Sequence, residues 1–387
     1  MSVNAILDGV SNLAREWAAQ GPDRQQRTQA DPEDFEALRR LGIPLLGVPV
    51  EFGGLWESPA RSSRPICTML RVLAQGDPSV TLASSMHQLV LASWRTAEVP
   101  EPYADAWAKQ RKDVFQTVHD GAWWGTLISE PGSGGDTSRS SYEAVPTATG
   151  SLEYRLSGQK HFGSGSGITS YMITRVVPEG ETEPDLFYLK VANVPWDGST
   201  GMKLTYEWRG HGMMSTNSHA FEFHDFPATR VAAPITRLDA NPAAGGLSSM
   251  VFTSVIVGVV DAAMDHVRAR LRSQGGSLRA LQQVEWTNAE QEAWLIEQAW
   301  EGAMRAFEQD NPTARTFLLA KQSVARLAES VLDRLCRITG GSSYTWYSPM
   351  GAWLEDVRAL GYLRPPWSLA FDQMYQLNRE EQGLDDL

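Results

Sequence analysis

The stretch Leu127-Ile-Ser-Glu-Pro-Gly-Ser-Gly-Gly-Asp136 decides the fold of this chain, together with Ser157-Gly-Gln-Lys-His-Phe-Gly-Ser-Gly165. The first segment has the pattern of a short strand that runs into a Gly/Pro turn, and the second that of a strand ending in small residues. Glycines at Gly132, Gly134 and Gly135 expose main-chain N–H groups, which a flat or anionic ligand can approach closely. The two segments therefore predict a ligand-binding site.

The overall composition is that of a globular protein with a large core. The chain has 387 residues, of which 42% are hydrophobic and 21% are charged. Its net charge of −12 argues against nucleic acid or a membrane surface as a partner, because phosphate binding requires clustered Lys and Arg. Two cysteines provide no disulfide framework, so we expect a reducing, cytoplasmic location. The longest apolar run, Met250 to Val260, is too short to span a bilayer and predicts a buried helix.

The hydrophobic periodicity changes twice along the chain. Helical spacing runs to about Asp120, a period of two runs from Ala122 to about Arg230, and helical spacing returns from Gly245. We therefore expect an α+β protein with three parts. These parts are an N-terminal helical domain at residues 1–120, a central antiparallel β domain at 121–236 and a C-terminal helical domain at 237–387.

Both opening segments resemble signatures of the acyl-CoA dehydrogenase superfamily, namely T-E-P-G-A-G-S-D and G-x-K-x-[FW]-I-T-N. A third segment, Leu335-Cys-Arg-Ile-Thr-Gly-Gly-Ser-Ser-Tyr344, resembles its A-x-Q-x-x-G-G-x-G-[YF] signature. Because the three occur in the family's order, the chain is identified as a member of that superfamily, which is built around FAD. The resemblance implies that the C-terminal domain is a four-helix bundle and that it forms a homo-oligomer interface, dimeric or tetrameric.

The resemblance also implies which residues bind the flavin. The main chain of Ile128 and the hydroxyl of Ser129 would reach the ring, Phe162 would pack on it, and the Ser164 hydroxyl would approach N5. The backbone of the glycine loop, including Gly134, would lie alongside the flavin. The pyrophosphate of a neighbouring subunit's FAD would be held by Arg272, Gln282, Arg337, Gly340 and Gly341. The implied cofactor is FAD rather than FMN, and no metal site is expected.

One part of the family pattern is missing, the glutamate that removes a proton from the acyl substrate. Counting from Asp356, its usual position falls on Arg364. A second position used by some members falls near Ser248, and no Glu occurs in residues 245–260. General base catalysis needs a carboxylate within hydrogen-bond reach of the proton. Either the base comes from elsewhere in the chain or the reaction needs none.

The C-terminal stretch Arg358–Asp372 resembles a divergent branch of the superfamily that lies near flavin-dependent monooxygenases of the same fold. In those enzymes reduced flavin and O₂ form a C4a-hydroperoxide. The implied helpers are a histidine on the helix before the β domain and a hydroxyl near N5. His87 and Ser164 occupy those places and are the predicted catalytic residues, with His211 as a further possibility.

These observations leave two main hypotheses for the function. The first is a FAD-dependent oxidoreductase that acts on a small-molecule or carrier-bound acyl substrate and passes electrons to a transfer partner. The alternative is a flavin-dependent monooxygenase that receives reduced flavin from a separate reductase. A third hypothesis, a flavoprotein that has lost its chemistry, stays open as well.

Overall fold

The structure, a computed structural model, describes residues 2–95, 99, 101–234, 242–273, 275, 278–309 and 313–382. The N-terminal helices are α1 (Val3–Ala19), α2 (Gly21–Gln25), α3 (Pro32–Arg40), α4 (Pro59–Ala74), α5 (Pro78–Leu91) and α6 (Ala104–His119). Capping residues define several of their starts. The side chains of Asp31, Ser58 and Asp77 each accept a main-chain hydrogen bond in the first turn, and a proline follows each of them. The expected helical N-terminal part is confirmed.

The central part is a β domain. Its strands are β1 (Trp124–Thr126), β2 (Glu143–Pro146), β3 (Glu153–Gly163), β4 (Tyr171–Pro178), β5 (Asp185–Lys190), β6 (Met202–Tyr206) and β7 (His219–Arg230). In the described part of the chain they form one seven-stranded sheet. The order β4-β2-β3-β7-β5 closes on itself because β5 also pairs with β4, while β1 extends from β4 and β6 from β7.

Most strand pairs are antiparallel, as expected, but β4 runs parallel to both β1 and β2. The expectation of a purely antiparallel domain is wrong for these two pairs. The glycine-rich segment between β1 and β2 carries the chain from one side of β4 to the other, so the two strands enter the sheet in the same direction. A short hairpin turn could not make such a connection. The glycine segment is therefore a crossover in the sheet as well as a predicted ligand loop.

The C-terminal part is helical again. Its described helices are α7 (Pro242–Ser273), α8 (Ala280–Glu308), α9 (Ala314–Thr339), α10 (Met350–Arg358) and α11 (Trp367–Gln382). Helix α9 packs against α7, α8 and α11, which gives the expected bundle of four longer helices. The short helix α10 fills the space between α9, α7 and the β domain.

One continuous hydrophobic cluster joins the N-terminal and C-terminal helices. Leu70 and Leu73 of α4 lie in the same buried cluster as Val255 and Val259 of α7 and Trp300 of α8. Each such aliphatic side chain contributes about 1.5–3 kcal/mol when it is fully removed from water. The first and third parts of the chain therefore share a core.

Helix α7 accounts for the longest apolar stretch of the sequence. By length and composition, Gly245–Ser273 could cross a membrane, with a mean hydropathy of 1.8 in its most apolar window, yet 83% of that window is buried inside the fold. Its apolar residues serve the core, as the sequence predicts for Met250–Val260.

The β domain is fixed to the C-terminal helices by a close contact at α10. A Cβ atom on Gly212 would lie 2.4 Å from the carbonyl carbon and oxygen of Glu355, so only glycine allows this approach. The next residue in the loop, Met213, donates its N–H to Asp356 Oδ1 at 2.6 Å. The division at residues 120 and 121 falls between α6 and β1, whereas the one at 236 and 237 lies outside the described residues. The domain limits stay a prediction.

Candidate functional site

The two opening signatures lie side by side in the structure. The His161 N–H donates to the Ser129 carbonyl oxygen at 2.8 Å and forms an isolated β-bridge. Below this bridge, Lys160 Nζ donates to Glu130 Oε1 at 2.5 Å and to the Arg175 carbonyl oxygen at 2.6 Å. Lys160 is fully buried, and burial lowers its pKa to about 8 although Glu130 opposes the shift. A buried ion pair thus holds the two predicted flavin segments in register.

Phe162 has the geometry expected of a platform for a flat ligand. The register of β3 against β7 shifts between Lys160 and Gly163, and Phe162 takes a φ of 63°, which is unfavourable for a bulky residue. The residue is 56% exposed, and its ring lies edge-on to the Trp208 ring, with centroids 6.3 Å apart. The strained backbone therefore keeps a large aromatic ring on the surface of the site.

The first signature has unused polar groups next to this ring. Among the described residues, the Ile128 N–H and the Ser129 hydroxyl have no hydrogen-bond partner. Gly134 has a φ of 64°, and open space surrounds the place where its Cβ would be. An exposed ring, a free N–H, a free hydroxyl and an open glycine loop fit a flavin, which needs both stacking and hydrogen bonds.

Ser164 belongs to a directed chain of hydroxyl groups. Its Oγ lies 2.8 Å from Ser218 Oγ, which lies 2.8 Å from Thr216 Oγ1. The Thr216 hydroxyl donates to the Met213 carbonyl oxygen at 2.9 Å. Since each hydroxyl has one proton, Ser218 must donate to Thr216 and Ser164 to Ser218. The Ser164 oxygen is therefore left as an acceptor.

The hydroxyl chain is anchored in the C-terminal helices through Asp356. This carboxylate accepts the Met213 N–H, and the Met213 carbonyl oxygen accepts both the Thr216 hydroxyl and the Trp208 ring N–H, the latter at 2.9 Å. Burial raises the pKa of Asp356 to about 7, although the Met213 N–H opposes the shift. One acidic side chain of α10 thus positions both Trp208 and the hydroxyl chain.

His87, the predicted catalytic histidine, has a different environment from the one expected. It is fully buried, its Nδ1 accepts the Trp124 N–H at 3.0 Å, and its Nε2 lies 3.2 Å from the Pro44 carbonyl oxygen. A carbonyl only accepts, so Nε2 carries the hydrogen and the ring is neutral. Burial lowers the pKa of His87 to about 3. A catalytic role gains no support from this geometry, because both ring nitrogens bind main chain. His211 is exposed in its loop.

The residues expected at the pyrophosphate lie together at one end of the bundle, and two of their side chains already have partners. Gln282 donates to the Ile338 carbonyl oxygen at 2.9 Å, and Arg337 pairs with Glu285 and Asp333. Arg270 contacts the turn at Gly340–Tyr344, binding Ser342 Oγ at 2.8 Å. The expected cation, Arg272, is exposed, as are Gly340 and Gly341. These five residues stay predictions.

Arg364, at the position of the missing base, lies in a segment pressed against the glycine loop. Lys321 of α9 donates to the carbonyl oxygens of Leu363 and Pro365 at 3.0 and 2.8 Å. Pro366 follows Pro365, and its Cγ would lie 2.9 Å from a Cβ atom on Gly135. A cation therefore occupies the place where the family pattern has a carboxylate.

Sequence reasoning missed three features of this site: the Trp208 ring, the Ser218–Thr216 hydroxyls and Asp356. For Trp208 and Thr216 the sequence signal is that Trp208–Asn217 resembles a loop of the superfamily, and Asp356 served in the sequence only as the position from which Arg364 was counted. Asp356 lies 143 residues from Met213 in the sequence, a pairing that no local pattern reveals.

The chain is similar to several curated proteins along much of its length. No protein-family model matches it. It is 23% identical to L-evernosamine nitrososynthase of a Micromonospora species, over 98% of this chain and 90% of that protein. It is 25% identical to dibenzothiophene monooxygenase of Mycolicibacterium goodii, over 69% of this chain and 63% of that protein. The probable FMNH2-dependent monooxygenase SfnC of Pseudomonas putida is 25% identical over 66% of this chain and 59% of its own length.

Solved structures show the same fold at low identity. KijD3, determined in complex with FMN and a dTDP-amino sugar, superposes with a TM-score of 0.79 at 21% identity, over 99% of this chain and 94% of that one. FMN-bound TdsC from Paenibacillus sp. A11-2 superposes with a TM-score of 0.77 at 17% identity, over 97% of both chains. With the signatures and the helical–β–helical architecture, these likenesses show the acyl-CoA dehydrogenase fold and a similarity to flavin-dependent oxidoreductases of its divergent branch, near the monooxygenases of that fold.

Proposed function

We propose that this oxidoreductase is a flavin-dependent monooxygenase that uses reduced FMN from a separate reductase. The observation that carries the proposal is Arg364, a cation at the position of the dehydrogenase base. An arginine keeps its proton at neutral pH and cannot remove one from an acyl substrate. The relatives named as monooxygenases support the same choice, and so the first hypothesis, acyl dehydrogenation, gives way to the alternative.

FMN rather than FAD is the proposed cofactor, which corrects the expectation from the superfamily. KijD3 and TdsC were both determined with FMN, and one relative is named for FMNH2. The chain itself gives a consistent reason. Arg337 is already paired with Glu285 and Asp333, and Gln282 is bonded to main chain, so neither side chain is free to bind the pyrophosphate of FAD.

Different residues of the site would make different contacts with such a cofactor. Phe162 and Trp208 offer aromatic surface, and Ile128 and Ser129 offer a main-chain donor and a hydroxyl. Reduced flavin, when bound, supplies the two electrons that allow O₂ to be split between the substrate and water. The Ser164 oxygen is an acceptor, which suits the N–H group that the ring carries in its reduced form.

The substrate class is a small organic molecule, as it is for the named relatives. The net reaction joins one atom of O₂ to the substrate and reduces the other to water, with both electrons from reduced FMN. Besides the substrate, the proposed partners are a flavin reductase and further copies of the chain. A cytoplasmic location stays a prediction.

The test supplies FMNH₂ from a purified reductase in the presence of ¹⁸O₂ and sulfur heterocycles or amino sugars. We expect one ¹⁸O atom in the product, and we expect no flavin bleaching by butyryl- or octanoyl-CoA without oxygen. Rapid anaerobic bleaching by an acyl-CoA would overturn the proposal and restore the dehydrogenase. Failure of the protein to bind any flavin at saturating micromolar concentrations would overturn both hypotheses.

A further inference from the structure

Arg364 is held in place by the main chain around it. Lys321 fixes the carbonyl groups on both sides of it, at Leu363 and Pro365, and Pro366 packs on the glycine loop at Gly135. The segment is therefore fixed between helix α9 and the β domain. Arg364 itself is half-buried, and the contact of Pro366 with Gly135 places its segment beside the first signature.

Other cationic side chains lie near Arg364. The positive charge of Arg175 lowers the pKa of Arg364, and the charge of Arg364 in turn lowers the pKa of Lys160. The nearby carboxylate, Glu130, is already bonded to Lys160 and to the Ser141 N–H. Among the described residues, Arg364 has neither a hydrogen bond nor an ion pair. Burial, with a smaller effect from Arg175, lowers the pKa of Arg364 to about 10.

An unpaired cation beside other cations lowers the free energy of unfolding. The contacts of Lys321 and Pro366 nevertheless fix the main chain of Arg364 in this position. Buried charges in proteins are normally paired or bound to a ligand. A guanidinium offers up to five N–H donors in a planar arrangement that matches carboxylate and phosphate oxygens. The described residues supply no such anion to Arg364, which points to an anion from a bound molecule.

We propose that Arg364 binds an oxyanion, a phosphate, sulfonate, sulfinate or carboxylate group, at the edge of the flavin loop. Two sources share this chemistry. One is the 5′-phosphate of FMN, and the other is an anionic group on the substrate. Both sources rest on the proposed function. Binding of free inorganic phosphate at Arg364 does not, because it requires no flavin.

The experiment compares the wild-type protein with Arg364→Gln, Arg364→Lys and the control Arg61→Gln. Arg61 is exposed and pairs with Glu57, so its replacement makes the same change in net charge far from the loop. The first arm measures the melting temperature of the flavin-free protein in inorganic phosphate and in chloride at equal ionic strength. The second arm measures the affinity for FMN and for riboflavin by fluorescence quenching.

In the first arm, phosphate should raise the melting temperature of wild type and of Arg61→Gln, raise that of Arg364→Lys less, and have no specific effect on Arg364→Gln. In chloride, Arg364→Gln should melt at or above wild type because an unpaired positive charge close to Lys160 and Arg175 is gone. If Arg364 instead stabilised the fold through its own contacts, Arg364→Gln would melt below wild type in chloride. Unchanged phosphate protection in Arg364→Gln would overturn the proposal.

The second arm identifies the source of the oxyanion. If it is the flavin phosphate, Arg364→Gln weakens FMN binding by about 10- to 100-fold, the range for a lost charge-assisted hydrogen bond, and leaves riboflavin binding unchanged. If it is the substrate, the ratio of FMN to riboflavin affinity stays constant while phosphate protection is lost. A protein that binds no flavin but keeps Arg364-dependent phosphate protection would reject the proposed function and retain the oxyanion site.

Discussion

At the scale of single residues, His87 shows how burial decides what a side chain can do. The unfolded chain presents an ordinary imidazole with a pKa near 6.5, whereas burial lowers the pKa of the folded state to about 3. Below pH 6.5 the unfolded state binds a proton that the folded state does not. The contribution of His87 to stability is therefore complete above pH 6.5 and falls as the pH approaches 3.

We expect His87→Gln to flatten the acid side of the stability profile. Gln does not titrate, so the free energy of unfolding should decline less steeply between pH 6.5 and 4 than in wild type. At pH 7.5 the variant should lose ~1–3 kcal/mol, because the Trp124 N–H and the Pro44 carbonyl are less well satisfied. Urea unfolding at several pH values measures both effects. A variant of normal stability and profile that lacks turnover would restore the catalytic hypothesis.

Ser164 should affect the redox properties of the bound flavin. As an acceptor it stabilises the reduced ring, so Ser164→Ala should lower the two-electron midpoint potential. The expected change is ~20 mV, which corresponds to one hydrogen bond of about 1 kcal/mol. Dye-equilibration titration measures it. Ser166→Ala is the matched control, because its buried hydroxyl bonds to the Gly163 carbonyl outside the chain of hydroxyls. Equal potentials in both variants would remove Ser164 from the flavin.

At the scale of structural elements, the site depends on the junction between the glycine loop and β3. The Ser129–His161 bridge alone is a single hydrogen bond, and the buried Glu130–Lys160 pair makes the junction specific. Both side chains are less than 4% exposed, so neither can be rehydrated if the other is removed. The register of the loop, and with it the position of Ser129, rests on this pair.

We expect Lys160→Met to lower the free energy of unfolding by ~3–5 kcal/mol, because Glu130 is left as an unpaired buried charge. The double variant Lys160→Met with Glu130→Gln should recover a large part of that loss. Lys190→Met, an exposed lysine on β5, is the control and should change stability by less than about 0.5 kcal/mol. Denaturant titration measures all three. A double variant no more stable than the single one would contradict this view of the junction.

At the scale of the whole molecule, a group of large aromatic side chains follows the Gly340–Gly341 turn. Tyr344, Trp346 and Tyr347 are 96%, 77% and 95% exposed. Aromatic residues in such numbers are enriched at protein interfaces and are unfavourable in contact with water. Their position beside the residues implied for a neighbouring subunit's cofactor is consistent with the expected homo-oligomer.

Trp346→Glu should therefore shift the protein towards a smaller species. A carboxylate placed in an interface is desolvated without a partner, which typically costs several kcal/mol of association. Size-exclusion chromatography with light scattering over a range of concentrations measures the change. Val145→Glu, an exposed apolar position on β2, is the control. A wild-type monomer at micromolar concentration would exclude the oligomer.

The sequence by itself determined the local features of this protein. Hydrophobic periodicity and capping residues such as Asp31 and Asp77 specify elements because they act within one or two turns. The signatures at Ile128–Ser129 and Phe162–Ser164 predict the flavin segments, and counting from Asp356 places a cation, Arg364, at the position of the dehydrogenase base. These properties depend on neighbours in sequence, so a linear pattern reveals them.

Only the tertiary structure decided what those residues face. Ser164 contacts Ser218, which is 54 residues away in the sequence, and Met213 binds Asp356, which is 143 residues away. The direction of the hydrogen bonds along the hydroxyl chain therefore could not be predicted from the sequence. His87 was assigned to catalysis by its place on α5, but its partners come from Pro44 and Trp124. Burial and hydrogen-bond direction depend on contacts between distant segments, and these two quantities set whether a side chain reacts, binds or supports the fold.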